Sequence, residues 1–169
     1  MTTADPRRSR IEQFLRRDLA DWVGLPEGCS EENLERWLSL RPGEGIVQLG
    51  TEIVTYRFRV VEAAGFAEPV RLHFREGELR LIRTGLWSKD RRECEQMLRD
   101  LGDPPGRADL MFGMGMIADG EWVYAARGLT VGVIPETGLI ASVSAYQPCS
   151  ADVYLQRFHD RRPTREFPR

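Results

Sequence analysis

The stretch GEWVYAARGLTVGVIPETGLIASVSAY, residues 120–146, decides the fold. Three short β-favouring runs stand in it, 122–125, 129–134 and 139–145. Arg127-Gly128 separates the first pair, and Pro135 to Gly138 separates the second. Turn residues between such runs predict a three-stranded antiparallel meander. Trp122, Tyr124, Leu129, Val131, Val133, Leu139, Ala141 and Val143 alternate along the runs, which predicts one apolar face that helices must cover.

Working outward, the upstream chain reads as two helices followed by strands. Ile11, Phe14, Leu15, Leu19 and Trp22 recur at helical spacing over residues 10–23, and Leu34, Trp37 and Leu38 do so after a predicted cap at Ser30. Strands are expected at 46–49 and 52–61, then at 70–75 and 79–81 about a Glu76-Gly77 turn. Tyr56, Phe58, Val60, Val70, Leu72 and Phe74 are expected to face inward. A third helix should start at an Asp90 cap, with Glu93 reaching back to it. It carries Cys94, Met97, Leu98 and Leu101 on one stripe and stops at Gly102. Residues 110–117, LMFGMGMI, are apolar at both parities and predict a central strand. A last helix is expected over 150–159.

These elements make an α+β protein, an antiparallel sheet covered on one face by helices, with two tandem helix-then-sheet units. The expected boundaries are a disordered 1–9, one globular domain over 10–159 with half-repeats 10–86 and 90–146, and a loose tail over 160–169.

The second half resembles a known pattern. Leu101-Gly102-Asp103-Pro104, Trp122 with Tyr124, Leu129-Thr130-Val131 and Gly138-Leu139-Ile140 look like the small outer-membrane assembly lipoproteins of SmpA/OmlA type. The β-lactamase inhibitory protein is a tandem duplication of that fold. The resemblance covers about residues 91–146 and implies a non-enzymatic module that grips another protein. The chain departs from those lipoproteins in having no visible signal peptide and no lipid-bearing N-terminal cysteine, so the resemblance implies the fold without the membrane role.

Composition narrows the function. The 169 residues carry a net charge of −2, which gives no basic field for nucleic acid. No apolar run is long enough to span a membrane as a helix. Three widely spaced cysteines, Cys29, Cys94 and Cys149, argue for a reducing cytoplasm. Lys89 is the sole lysine, a bias that fits a bacterial, GC-rich coding sequence.

Chemistry-bearing patterns are sparse. Two histidines and the three cysteines lack metal-ligand spacing, so neither metal nor cofactor is expected. A Cys94–His73 or Cys149–His159 catalytic pair would need a base beside the thiol, and nothing local supplies one. Gly113-Met-Gly115 lacks the lysine and helix of a phosphate loop.

The surface expected to work is the polar face of the first half-sheet. Period-two alternation puts Arg57, Arg59, Arg71 and His73 together there, and Trp87 stands in a loop as an exposed aromatic. The competing reading is a solvated face whose arginines pair with Glu52, Glu62, Glu76 and Glu78. The expected function is therefore protein binding, as an inhibitor, immunity or adaptor-like module compatible with a homodimer. One alternative is an enzyme or small-molecule binder with a pocket near Trp122, Tyr124 and Arg127. Another is a structural subunit with residues 110–117 at the subunit contact.

Overall fold

The computed structural model describes residues 30–37, 39–41, 45–50, 55–61, 70–85, 88–112 and 115–158. Within them the chain runs α1 (Glu31–Trp37), β1 (Ile46–Gly50), β2 (Thr55–Val61), β3 (Val70–Arg75), β4 (Glu78–Thr84), α2 (Arg91–Leu101), β5 (Gly106–Phe112), β6 (Gly115–Tyr124), β7 (Leu129–Ile134), β8 (Leu139–Tyr146) and α3 (Ala151–Arg157). The expected first helix over 10–23 and the tail lie outside the described residues. The protein is α+β. A helix followed by four antiparallel strands occurs twice.

The eight described strands form one antiparallel sheet in the order β1-β2-β3-β4-β8-β7-β6-β5. Each meander is laid down in sequence order, and the two join through their last strands, β4 and β8. The joining strands are thus central, and the first strand of each meander is an edge.

Local chemistry explains the helix ends. Ser30 caps α1 reciprocally: the Ser30 N–H donates to Asn33 Oδ1 at 2.9 Å, and the Asn33 N–H to Ser30 Oγ at 3.4 Å. Glu31 N–H donates to Gly77 O, tying the helix to the β3–β4 turn. Asp90 caps α2 by accepting from Arg92 N–H at 2.8 Å. Glu93 does not reach back to that cap as expected; its carboxylate accepts from Ser88 Oγ at 2.5 Å, and Ser88 Oγ accepts from Asp90 N–H. Gly102, at φ 75°, closes the helix through bonds to the Leu98 and Arg99 carbonyls.

The inner face holds the main core. Leu34 of α1 and Cys94 and Leu101 of α2 pack with Val70, Leu72, Ile82, Tyr124, Leu129, Val131, Val133, Ile140, Val143 and Ala145. α3 lies on the opposite, outer face. There Tyr154 packs with Leu81, Val123, Ala125 and Tyr146. The helical cover expected on one face describes α1 and α2, while α3 covers the other side of the second half. Strands β7 and β8 are consequently buried on both sides.

Three expectations about the strands change. Residues 110–117 are not a central strand: Phe112 ends β5, Gly115 begins β6, and β5 is an edge. An uninterrupted apolar pattern is shared by a doubly buried strand and by a short hairpin with an apolar tip. A register shift at Gly132/Val133 pairs Val133 with Ile140, so Ile140 joins Val143 in the core cluster and Ala141 does not. Phe74 packs against the inner core as expected, but a second shift at His73/Phe74 pairs it with Leu79, which joins that core, and leaves Leu81 on the outer face. Bulges reset the period-two count, which a simple alternation cannot anticipate.

Candidate partner-docking surface

The expected arginine face does not assemble. In the β2–β3 register Arg59 stands opposite Leu72, and Val60 opposite Arg71. Directly opposed residues share a face. Positions 57 and 59 therefore belong to the face of Leu72 and the inner core, while Arg71 and His73 belong to the outer face. The sequence pattern put both apolar sets inward, but the pairing is offset by one residue, and a one-residue offset exchanges every side of a strand. Arg71 is exposed and His73 half-buried. Trp87 lies outside the described residues.

Tyr124 and Arg127 come together at the C-terminus of α2, whereas Trp122 packs against the inner core with the Arg107 guanidinium 4.6 Å from its ring centre. The Tyr124 hydroxyl donates to Gly102 O at 2.6 Å, and Arg127 Nη1 donates to Leu101 O at 3.2 Å. The Arg127 guanidinium also lies 5.7 Å from the Tyr124 ring centre. Both groups meet carbonyls that a helix end leaves without intrahelical partners. Burial raises the Tyr124 phenol above its ordinary value, against the opposing pull of Arg127 and Arg107. The arrangement seals a helix terminus and ties β6 to α2.

Beneath α3 the outer face carries a polar row. Arg71, Arg83, Ser144 and Thr130 are successive cross-strand partners. Arg83 Nε donates to Ser144 Oγ at 2.8 Å. The Tyr146 hydroxyl donates to Leu129 O at 3.0 Å, so its 2.7 Å contact with Thr130 Oγ1 uses the threonine hydrogen. Tyr154 donates to Glu121 Oε1 at 2.8 Å and stacks on Tyr146 with ring centres 4.9 Å apart. Burial is the main reason that both phenols titrate well above the ordinary tyrosine range. The Tyr154–Glu121 bond and the Tyr154–Tyr146 stacking hold α3 to the sheet, and Arg83 with Ser144 and Tyr146 with Thr130 tie the row across the strands.

Cys94 and Cys149 are the cysteines among the described residues. Cys94 is buried at the inner core, and its thiol faces Ser88 O at 3.7 Å; His73 is on the other side of the sheet. Burial pushes the Cys149 thiol up, away from the thiolate that a nucleophile requires. His159 lies outside the described residues. Among the described residues no group of three or more His, Cys, Asp or Glu side chains is placed to hold a metal ion. Among them, too, no helix is long and apolar enough to cross a membrane.

The β5–β6 hairpin is the feature that the fold leaves open. β6 pairs with β7 only from Glu121 to Tyr124, so residues 115–120 and their β5 partners form an arm beyond that ladder. A register shift at Ala108/Leu110 marks its base. Asp119, at φ 54°, donates its N–H to Asp109 Oδ1 at 3.2 Å there. Leu110 roots the arm: it is buried, and its side chain comes within 2.9 Å of where a Cβ on Gly132 or Gly120 would be. Glycine at both positions makes that seat. Beyond the root, Phe112 is 49% exposed and Met116 64%, two large apolar side chains on one rooted tip. The sequence carried a signal for the hairpin, a Gly113-Met114 pair between apolar runs.

No protein-family model, curated protein or solved structure matches the chain.

Proposed function

We propose that the chain is a protein-binding module that docks a partner through the β5–β6 arm. The observation carrying this reading is the exposure of Phe112 and Met116 on an arm anchored by buried Leu110. Exposed apolar side chains on an ordered element mark contact surfaces; Met116 stands opposite Met111 and Phe112 opposite Gly115, so the arm presents one such side chain on each of its faces, and a rooted hairpin loses little conformational entropy on docking. The helix-then-four-strand order, present twice, is in keeping with the duplicated inhibitory fold named in the resemblance. The Tyr124, Tyr146 and Tyr154 hydroxyls, all engaged within the fold, favour a module without chemistry of its own. The reducing cytoplasm implied by the unpaired cysteine count remains its expected compartment.

The test compares the tagged wild type with the Phe112→Ser/Met116→Ser variant in capture from host lysate, after circular dichroism has established that both fold. The expected result is one stoichiometric partner held by the wild type at high salt, since an apolar contact is not screened, and lost from the variant. A partner retained equally by the variant overturns the assignment to the arm.

A further inference from the structure

We infer that α3 is a strap that lifts off the outer face as a unit while the sheet and the inner core stay intact, covering Glu121, Val123 and Tyr146 when closed and presenting them to solvent when open. The device is independent of docking by the β5–β6 arm. Its hold on the sheet hangs on one residue. Of the seven residues of α3, Tyr154 alone is buried; Val153 and Leu155 are half-buried, and Ala151, Asp152, Gln156 and Arg157 are exposed. Tyr154 packs with Leu81, Val123, Ala125 and Tyr146 and donates to Glu121. A helix this short has no stability of its own in water, so α3 keeps its shape only while docked and detaches whole. The Cys149 N–H, bonded to Ala125 O at 3.0 Å, pins the linker one residue before the Ser150 cap and gives the strap its pivot. α1, by contrast, is bonded through its own backbone to the β3–β4 turn, and α2 through the carbonyls at its C-terminus to Tyr124 and Arg127.

The two faces of the sheet also differ in what they bury. On the inner face Leu72, Ile82, Leu129, Val131, Ile140 and Val143 meet α1 and α2. The outer face buries Glu121, Thr130, Ser144 and Arg83 beside the apolar contacts of Tyr154. An apolar floor loses its whole stabilisation when its cover lifts. Carboxylate, hydroxyl and guanidinium groups recover hydrogen bonds from water, so a polar contact adds only a small net amount to the docked state. A polar floor therefore lowers the free energy of opening, and opening of this kind falls to elements with few buried apolar contacts. Open, the chain shows a face bearing a carboxylate, a phenol and apolar side chains that the closed form withholds.

The experiment is thiol labelling of the full chain with a maleimide, each site read by peptide mass so that the native cysteines are scored separately. Val123→Cys and Val131→Cys replace two buried valines on adjacent strands, the first in the outer cluster with Tyr154 and the second in the inner core. Circular dichroism checks that each variant is folded. Without urea, Val123→Cys should react at least about tenfold faster than Val131→Cys, with a weaker dependence on urea, because it needs only α3 to open. Ile140→Val, in the inner core, should speed Val131→Cys about fivefold and leave Val123→Cys unchanged. Tyr154→Phe should speed Val123→Cys about thirtyfold. Equal rates with equal urea dependence, or equal acceleration of both thiols by Ile140→Val, overturn the strap, since α3 then leaves only when the whole chain unfolds. An unchanged Val123→Cys rate in Tyr154→Phe overturns the hold assigned to Tyr154. Hydrogen exchange of the wild type tests the same point without substitution: a Tyr154 N–H, bonded to Ser150 O, that exchanges with the urea dependence of the β7 amides overturns the strap.

Discussion

Replacing Tyr154 by phenylalanine isolates one hydroxyl. The ring is fully buried and stacks on Tyr146, and phenylalanine keeps that area and that stacking. What is lost is the 2.8 Å bond to Glu121 Oε1, on a carboxylate whose residue is only 6% exposed. A hydrogen bond to a charged group contributes about 1.5–3 kcal/mol, and a carboxylate deprived of a donor recovers little from water at such a depth. The expected destabilisation is about 2 kcal/mol, or about 4–8 °C in Tm for a chain of this size. Urea unfolding followed by tryptophan fluorescence measures it, with an unchanged m-value showing that only stability moved. Glu121→Gln completes a double-mutant cycle, in which a coupling energy of at least about 1 kcal/mol is expected for groups in direct contact. A Tyr154→Phe variant within about 0.5 kcal/mol of wild type, or a cycle without coupling, would refute the idea that this bond clamps α3 to the sheet.

Alkaline stability follows from the same phenols. Tyr146 and Tyr154 have folded pKa values above the unfolded value of about 10, so their contribution is complete below about pH 10 and is lost as the pH rises above it. Absorbance of tyrosinate should therefore show these residues ionising together with cooperative unfolding; free titration of every tyrosine in a chain that remains folded contradicts this. Gly128→Ala should be severe. Gly128 sits at φ 66°, and a Cβ there would run into the Tyr146 carbonyl oxygen well inside contact distance, beside the Tyr146 N–H to Gly128 O bond. A loss of at least about 3 kcal/mol is expected from left-handed strain plus a backbone clash, read as a lowered denaturation midpoint or absent soluble protein, and a near-native midpoint contradicts it.

Short-range chemistry in the chain was enough to place most elements. Turn residues at Arg127-Gly128 and Pro135 to Gly138, the Ser30 and Asp90 caps and the Gly102 stop all act within a few residues, and each is found where the local pattern puts it. The helical stripe of Cys94 and Leu101 likewise faces the core. Relations between distant segments were a different matter. Whether Arg59 opposes Leu72 or Arg71 depends on strand register, and the loop between them leaves that free at the level of sequence. The shifts at His73/Phe74 and Gly132/Val133 reverse alternation locally. The polar row from Arg83 to Tyr154 draws on strands and a helix up to 71 positions apart, so no local motif announces it. The arm was hidden because apolar residues signal burial by default. Only the strand order, which puts β5 at an edge and lets β6 outrun β7, leaves Phe112 and Met116 in solvent. Local preferences choose helix, strand and turn because their energies depend on neighbouring residues; faces, edges and contacts are chosen by pairing and packing across the whole chain.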